Sequence, residues 1–292
     1  MILTVASGKG GTGKTLISTS LALSLGEDAQ FLDCDVEEPN GYIFLKPEIE
    51  RSVTIYLPKP KVDIKRCSFC GRCRSACHYN AISVIKPGNK TTGKVLFFYE
   101  LCHSCGACTL VCPENAIYEE KEEKGSVEIG TARGIFSFIQ GKLKIAEASP
   151  VPVVKAVKKY IRKDKVNIID ASPGTSCPVV EAVKGADFCI LVTEPTPFGL
   201  NDLALALEMT GKIGVPSGII INRAGIGDNR VEDYAREKGI PVLLHIPFKR
   251  EIAVSYSKGI PLVGIFSEYV SIFKKVFERI KYEILKHREV YE

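Results

Sequence analysis

Two copies of one cysteine pattern constrain this chain more than any other feature. Eight of its eleven cysteines fall between residues 67 and 112, in two runs of the form C-x2-C-x2-C-x3-C. The runs are Cys67, Cys70, Cys73 and Cys77, and Cys102, Cys105, Cys108 and Cys112. Each is followed by Asn-Ala-Ile at the same spacing. Two matching loops with four thiols each predict a pseudo-twofold domain built around metal centres.

The spacing favours two four-iron four-sulfur clusters. Cysteines at i, i+3 and i+6 can surround three corners of a cubane, and the fourth corner needs a ligand from elsewhere. In bacterial two-cluster ferredoxins the fourth cysteine of each run binds the other cluster. Carried over, that rule assigns Cys67, Cys70, Cys73 and Cys112 to one cluster, and Cys102, Cys105, Cys108 and Cys77 to the other. Zinc is the alternative, but zinc sites usually take cysteines as separated C-x2-C pairs.

A glycine-rich segment near the start of the chain predicts a phosphate-binding loop. Residues 7–15 read SGKGGTGKT and contain G-x4-G-K-[ST] between a short apolar segment and a helix-length one. Lys14 is expected at the β- and γ-phosphates of a nucleotide, and Thr15 at a magnesium ion. The loop as a whole predicts nucleotide contacts from Gly8, Gly10, Gly11, Thr12, Gly13, Lys14 and Thr15. ATP and Mg²⁺ are therefore expected ligands.

Alternation of short apolar runs with helix-length segments predicts the fold class. The apolar runs cover residues 2–6, 31–34, 166–169, 188–192, 218–221 and 242–246. Helix-length segments cover residues 16–25, 151–162, 200–210 and 231–238. Continuous apolar runs are typical of strands buried on both faces, so we expect an α/β domain with a doubly wound, mostly parallel sheet.

The alternation breaks where the cysteines lie, which predicts an inserted domain. We expect the first part of the α/β domain at residues 1–57, an α+β insert like a bacterial ferredoxin at residues 58–120, and the rest of the α/β domain at residues 121–292. Within the insert, residues 81–85 and 94–99 predict a hairpin around PGNKTTG. An insert is tolerated where the chain leaves and re-enters its host at nearby points.

Charge and the ends of the chain indicate where the protein works. The formal net charge is +5, but each four-thiolate cluster adds about −2, which leaves about +1. We therefore expect no nucleic-acid partner. The first residues show no charged leader, and no apolar run reaches membrane-span length, so we expect a cytoplasmic protein. Residues 268–292 predict an amphipathic helix that docks on its own sheet, with a membrane surface as the alternative.

The phosphate loop has an additional lysine, Lys9, and in KGGTGKT it resembles the deviant Walker A loop of the MinD/ParA/Mrp and nitrogenase iron protein superfamily. Three further segments resemble that superfamily: FLDCDVEEPN (31–40) its switch I, IIDASPGTSCP (168–178) its Walker B and switch II, and IINRAG (220–225) its base-recognition strand. The resemblance implies an ATP-dependent homodimer in which Lys9 reaches the partner's site. It also implies that Asp35 orients the attacking water, that Asp170 lies near magnesium, and that Asn222 contacts adenine.

The chain as a whole resembles MinD-superfamily P-loop ATPases that carry an inserted ferredoxin domain. That resemblance implies an ATPase whose dimerisation and switch movements are coupled to a two-cluster electron-transfer module. It would act in electron delivery or in iron–sulfur or metal-cofactor assembly, with a redox or assembly protein as partner. The alternative is a MinD-like spatial or scaffold ATPase with redox-sensing or structural clusters. A cluster carrier like Mrp is a third hypothesis, but the CPxC pair typical of such carriers is absent.

Overall fold

The computed structural model of the chain describes residues 1–86, 88, 93–133 and 136–291. Its strands are β1 (Ile2–Ala6), β2 (Ala29–Cys34), β3 (Pro47–Val62), β4 (Ile82–Ile85), β5 (Lys94–Phe97), β6 (Ile117–Ala132), β7 (Phe136–Leu143), β8 (Val166–Ala171), β9 (Phe188–Thr193), β10 (Ser217–Ala224) and β11 (Val242–Pro247). Its helices are α1 (Lys14–Leu25), α2 (Gly41–Leu45), α3 (Arg72–Ala76), α4 (Ala107–Leu110), α5 (Val151–Lys158), α6 (Cys177–Val183), α7 (Pro197–Ile213), α8 (Arg230–Glu237), α9 (Arg250–Ser257), α10 (Leu262–Ile265) and α11 (Glu268–Tyr291).

The chain divides into two compact units. The larger unit comprises Met1–Ser52, Val127–Lys142 and Val151–Glu292. The second, called the cysteine unit below, comprises Val53–Ser126 and Leu143–Pro150. The long strands β3 and β6 each pass from one unit into the other.

A large, mostly parallel sheet forms the centre of the larger unit. Nine of the described strands join it in the order β11-β10-β9-β1-β8-β2-β7-β6-β3. Strand β1 pairs in parallel with β8 and β9, and β2 pairs in parallel with β8 and β7. Every residue of β2 and β9 is buried, as expected of strands covered on both faces. The predicted α/β class with a large, mostly parallel sheet is therefore confirmed.

The order of the parallel strands places three loops at one edge of the sheet. Strands β1, β8 and β2 are neighbours, and their carboxyl ends lead into residues 7–13, 172–176 and 35–40. In open parallel sheets, ligands bind in the crevice outside these carboxyl ends. The fold thus collects the phosphate loop and both switch-like segments in one place.

Helix α11 contributes to the main hydrophobic core. The buried side chains of its inner face are Tyr269, Phe273, Val276, Ile280 and Ile284, in one cluster with residues of α1 and the sheet. Their spacing of three and four residues matches one face of a helix. Across the described ranges, we find no helix with both the length and the apolar character that a membrane span requires.

Three strands do not follow from the apolar runs of the sequence. Strand β7 joins the sheet next to β2, and β6 and β3 extend its edge. Strand β3 contains three prolines and is largely exposed, so it lacks the apolar run of a buried strand. Helix α5 ends at Lys158 and not at Arg162, because the chain turns there: the side chain of Asn167 accepts the N–H of Arg162.

The cysteine unit contains two short helices and a hairpin. Helices α3 and α4 each follow the second cysteine of a run, and β4 pairs antiparallel with β5. Ile82 lies opposite Phe97, and Ile85 lies opposite Lys94. Most of the predicted PGNKTTG turn, residues 87 and 89–92, lies outside the described residues.

Candidate functional site

The phosphate loop connects β1 to α1 through glycines in unusual conformations. Gly11 and Gly13 have φ of 77° and 95°, in the left-handed region that side chains disfavour. Helix α1 begins at Lys14, whose side chain is buried, so the loop delivers it to a helix N-terminus. That arrangement of backbone N–H groups, helix dipole and lysine suits a phosphate chain.

Asn222, at the end of β10, is tied to this loop. Its side-chain nitrogen donates to the carbonyl oxygen of Thr12 at 2.7 Å, and its Oδ1 accepts the N–H of Arg223 at 2.9 Å. A Cβ on Gly13 would lie 2.5 Å from the Asn222 nitrogen. Asn222 therefore braces the phosphate loop, and its predicted contact with adenine stays a prediction.

A buried acidic cluster lies at the ends of β2 and β8. Asp33 and Asp170 are register partners on these strands, and Asp35 follows β2. Asp33 accepts the N–H groups of Asp35 at 3.1 Å and Gly41 at 2.9 Å. Burial, and next the charge of Asp170, raise the pKa of Asp33 well above its usual range. Burial also raises the pKa of Asp35, and Lys14 opposes that rise.

The position of Asp170 suits a carboxylate that binds a cation. Both its oxygens are buried and, within the described part of the chain, neither accepts a hydrogen bond of good geometry, although the Thr15 and Ser18 hydroxyls lie near enough to oppose the rise in its pKa. Burial raises the pKa of Asp170 to about 7, against the opposing charge of Lys14. A deeply buried carboxylate is costly, and Mg²⁺ prefers oxygen ligands. The residues present therefore fit a magnesium ion held through Asp170 and the Thr15 hydroxyl.

Lys9 lies in an ion-pair network at the same edge of the sheet. Its Nζ is 3.1 Å from Oε2 of Glu194, and Nη1 of Arg223 is 2.8 Å from Oε1 of the same carboxylate. Glu194 is buried, whereas Lys9 is one-third exposed. Sequence reasoning missed Glu194 and Arg223. The position of Glu194 directly after the buried strand β9 was the available signal.

The segment after β8 is bonded to the phosphate loop. The N–H of Gly174 donates to the carbonyl of Ser7 at 2.8 Å, and Gly174 has φ of 93°. The Ser7 hydroxyl in turn donates to the carbonyl of Lys9 at 2.6 Å. A rearrangement of either segment would therefore change the hydrogen bonds of the other.

The eight motif cysteines are divided between two cavities in the cysteine unit. The first is lined by Cys67, Cys70, Cys73 and Cys112, with apolar walls from Val62, Val84, Val95 and Ile117. The second is lined by Cys77, Cys102, Cys105 and Cys108, with walls from Pro60, Ala81 and Ile82. Each cavity thus combines three thiols of one run with the fourth thiol of the other.

The backbone around the two cavities repeats as closely as the sequence does. Left-handed residues recur 35 positions apart, as the pairs Phe69 and Ser104, Gly71 and Gly106, and Asn80 and Asn115. A non-glycine residue in this region costs on the order of 1 kcal/mol, and such strain is concentrated at functional sites. Backbone N–H groups also point at thiols: Ala81 donates to Cys77, and Ala116 to Cys112, each at 3.3 Å.

None of the eight motif cysteines forms a disulfide with a described residue. Burial raises the pKa of the Cys73 and Cys108 thiols. Cys73 and Cys108 form a small apolar cluster with Ile82 and Ile117. For the described residues, no group of three or more His, Cys, Asp or Glu side chains is arranged around a single metal ion. The donor set of four thiols and the apolar walls of each cavity fit an iron–sulfur cubane.

A larger, open groove lies elsewhere in the larger unit. It is lined by α7, the end of α8 and α11, and includes Leu205, Tyr234 and Lys286. None of the predicted site residues lines it. The predicted site residues therefore lie outside this groove.

Comparisons with known proteins agree on the nucleotide-binding half. The model of the CobQ/CobB/MinD/ParA nucleotide-binding domain matches residues 3–262. The uncharacterized protein MJ0579 of Methanocaldococcus jannaschii is 31% identical over 277 residues, which cover 89% of this chain and 90% of that protein. An iron-sulfur cluster carrier protein of the same organism is 27% identical over 182 residues, 53% of this chain and 63% of that protein. The fold is similar to that of the septum site-determining protein MinD from Pyrococcus horikoshii, solved with Mg-ADP: TM-score 0.53, 21% identity, 96% of this chain and 95% of that one.

Proposed function

Because the chain belongs to the CobQ/CobB/MinD/ParA family of nucleotide-binding domains, we propose that it is a Mg²⁺-dependent ATPase coupled to a two-cluster iron–sulfur module. The nucleotide state of the larger unit controls electron delivery by the cysteine unit to a partner protein. The same coupling suits a role in iron–sulfur or metal-cofactor assembly. ATP is the substrate, and the clusters are the resident cofactors.

The nucleotide half of the proposal rests on the edge of the sheet where β1, β2 and β8 end. Lys14 and the glycine loop bind the phosphates, and Asp170 with Thr15 holds the magnesium ion. Asp35 orients the attacking water. Lys9 serves a homodimer, in which it leaves Glu194 and reaches the partner's nucleotide.

The division of thiols between two cavities is the observation that carries the cluster half. Cys112 lies with Cys67, Cys70 and Cys73, and Cys77 lies with the other run. A ferredoxin-like module needs this exchange, since each run can surround only three corners of its own cubane. Each cluster supplies the capacity to accept and pass on single electrons, and the thiolates and apolar walls set its potential.

The chain path supports the coupling. Asp35 lies at the end of β2, and α2 and β3 are the elements between it and Cys67. A change in the segment after β2 when the γ-phosphate leaves is thus transmitted through a short, continuous stretch of backbone.

Anaerobic reconstitution of the full chain tests the proposal. We expect about eight iron atoms and eight sulfides per chain, two four-iron clusters, and Mg²⁺-dependent ATP hydrolysis that K14A abolishes. K212A is the matched control, because Lys212 lies on the exposed surface of α7. Two bound zinc ions in place of iron, or hydrolysis that survives K14A, would refute the corresponding half of the proposal.

A scaffold ATPase with structural clusters is the second candidate. The observation that favours it is the small apolar cluster of the cysteine unit, which is built around the ligand residues Cys73 and Cys108. Metal binding then contributes folding energy, as in other small metal-dependent domains. Under this candidate, removing iron unfolds the cysteine unit, and the reduction potentials do not depend on nucleotide.

A further inference from the structure

A buried cluster of charges lies beside the second cysteine cavity and has no counterpart in the sequence motifs. Lys59 and Lys124 are each only 1% exposed and share one carboxylate, that of Glu147. Oε2 of Glu147 is 3.5 Å from Nζ of Lys59 and 2.5 Å from Nζ of Lys124. Two ammonium groups facing one carboxylate leave an excess of one positive charge inside the cysteine unit.

That excess charge is directed at one cavity. Nζ of Lys59 donates to the carbonyl oxygens of Tyr99 at 3.1 Å and Cys102 at 3.2 Å. Cys102 is one of the four thiols that line the second cavity. The ammonium of Lys59 therefore contacts the backbone of the loop that carries the second set of thiols, and Lys124 is paired with the same Glu147 carboxylate.

The first cavity has a different charge environment. The one basic residue that lines it, Arg72, is exposed, and so is its acidic residue, Glu114. The second cavity is likewise lined by one exposed glutamate, Glu119. Glu114 and Glu119 therefore contribute equally to the two cavities and do not account for a difference in charge between them. Lys94, 35 positions after Lys59, is exposed as well. Solvent screens exposed charges far more than buried ones, so the buried lysines dominate the difference.

Hydrogen bonds to sulfur oppose this difference only weakly. Two N–H groups, of Phe69 and Ala116, donate to thiols of the first cavity, and one, of Ala81, to a thiol of the second. Such bonds also stabilise a reduced cluster. An excess of one peptide dipole acts over a shorter range than an unscreened full charge in a low-dielectric interior.

Resting on the proposed function, we infer that Lys59 and Lys124 make the second cavity, with Cys77, Cys102, Cys105 and Cys108, the site of higher reduction potential. Reduction adds one negative charge to a cluster, and a fixed positive charge stabilises that state. An electron accepted from a low-potential one-electron donor therefore resides at the second site. The donor loses one electron, the second site gains it, and no bond is made and no proton is transferred.

The test is a potentiometric titration of the reconstituted full chain, with dithionite as reductant and EPR as the readout. Wild type should give two midpoint potentials. K59M should lower the higher one, making reduction at least tenfold less favourable, about 59 mV for a one-electron couple, and should leave the lower one in place. K124M removes one positive charge from β6, as K59M does from β3, and should also lower the higher midpoint potential.

Two further variants separate charge from structure. K59M/E147Q restores the excess of one positive charge and should return the higher potential towards wild type, an effect that a loosened structure would not produce. K61M is the matched control: Lys61 lies on the same strand but is partly exposed and paired with Glu122. K61M should change the equilibrium constant for reduction of either cluster by less than threefold.

Assignment to the second site uses C112S, which removes the fourth thiol of the first cavity. The four-iron signal that remains should titrate at the higher potential. The inference is overturned if that signal titrates at the lower potential, if K59M acts like K61M, or if both midpoints shift together. If neither lysine variant takes up iron, E147Q provides the test. It removes the carboxylate that both lysines share, so it should raise the higher of the two midpoint potentials, and a fall in that potential would contradict the inference. Failure of wild type to bind iron would instead refute the proposed function.

Discussion

Asp170 is a buried carboxyl near the end of β8 whose ionisation costs stability. Its pKa is raised to about 7 by burial, although Lys14 and the Thr15 and Ser18 hydroxyls oppose the rise. The ordinary pKa of an unfolded aspartate is about 3.9. Between these values the folded state binds the proton more tightly, so the free energy of unfolding falls as pH rises through this window. Above pH 7 the full penalty applies until a cation binds.

We therefore expect D170N to stabilise the nucleotide-free protein while abolishing Mg²⁺-dependent hydrolysis. At pH 8 the free energy of unfolding should rise by on the order of 1–3 kcal/mol, and the gain should shrink towards pH 5. Urea denaturation of both proteins at the two pH values measures this. Mg²⁺ with nucleotide should stabilise wild type but not D170N. A D170N protein that is less stable at pH 8, or whose gain is independent of pH, would contradict the assignment.

Lys9 pairs with Glu194 of its own chain. If it acts across a dimer, K9A should keep ATP affinity within about threefold, since a partly exposed ion pair contributes little, and should lose nucleotide-dependent dimerisation. Light scattering with a slowly hydrolysed ATP analogue measures the dimer, and fluorescence titration measures affinity. E194Q, which frees Lys9, is the control and should dimerise. Dimerisation of K9A at the wild-type level would exclude this role.

At the scale of elements, the phosphate loop and β10 behave as one structure. Gly13 has φ of 95°, and a Cβ there would displace the Asn222 amide that holds Thr12. G13A should therefore lose about 2 kcal/mol of stability, from left-handed strain and the lost hydrogen bond. Gly11 is the matched control, because it shares the left-handed conformation, with φ of 77°, but nothing lies within 4 Å of its Cβ position. Denaturation of nucleotide-free protein measures both variants, and equal losses would refute the bracing by Asn222.

The sequence predicted the strands that are buried along most of their length. Strands such as β1 and β9 are buried on both faces, so they appear as continuous apolar runs. Strands β3 and β6 run for sixteen residues each, and exposed positions predominate in β3 and in the first half of β6, so no apolar run marks them. The boundaries expected at residues 58 and 120 fall inside these two strands.

The site was predictable where chemistry is local in sequence and not where it depends on distant neighbours. The phosphate loop, Asp170 and the cysteine runs are contiguous motifs, and their side chains lie at the carboxyl edge of the sheet and around the two cavities. Glu194 with Lys9, and Glu147 with Lys59 and Lys124, are ion pairs between residues far apart in the chain. Only the folded backbone brings those charges together.

At the scale of the whole molecule, membership of the nucleotide-binding family is confirmed, and the link between its nucleotide and the cysteine unit is our proposal. The chain enters the cysteine unit through β3, not far beyond the segment that follows β2, and returns to the larger unit through β6. Both paths are covalent and continuous, and they are the route that our proposal assigns to a nucleotide-driven change after β2.

The most direct test of that link is the pair of cluster midpoint potentials, measured with and without Mg²⁺ and a slowly hydrolysed ATP analogue. The account predicts that nucleotide shifts at least one midpoint in the wild-type protein and shifts neither in K14A, whose phosphate loop cannot hold the γ-phosphate. Potentials that are identical with and without nucleotide, in a protein that binds both iron and ATP, would contradict it.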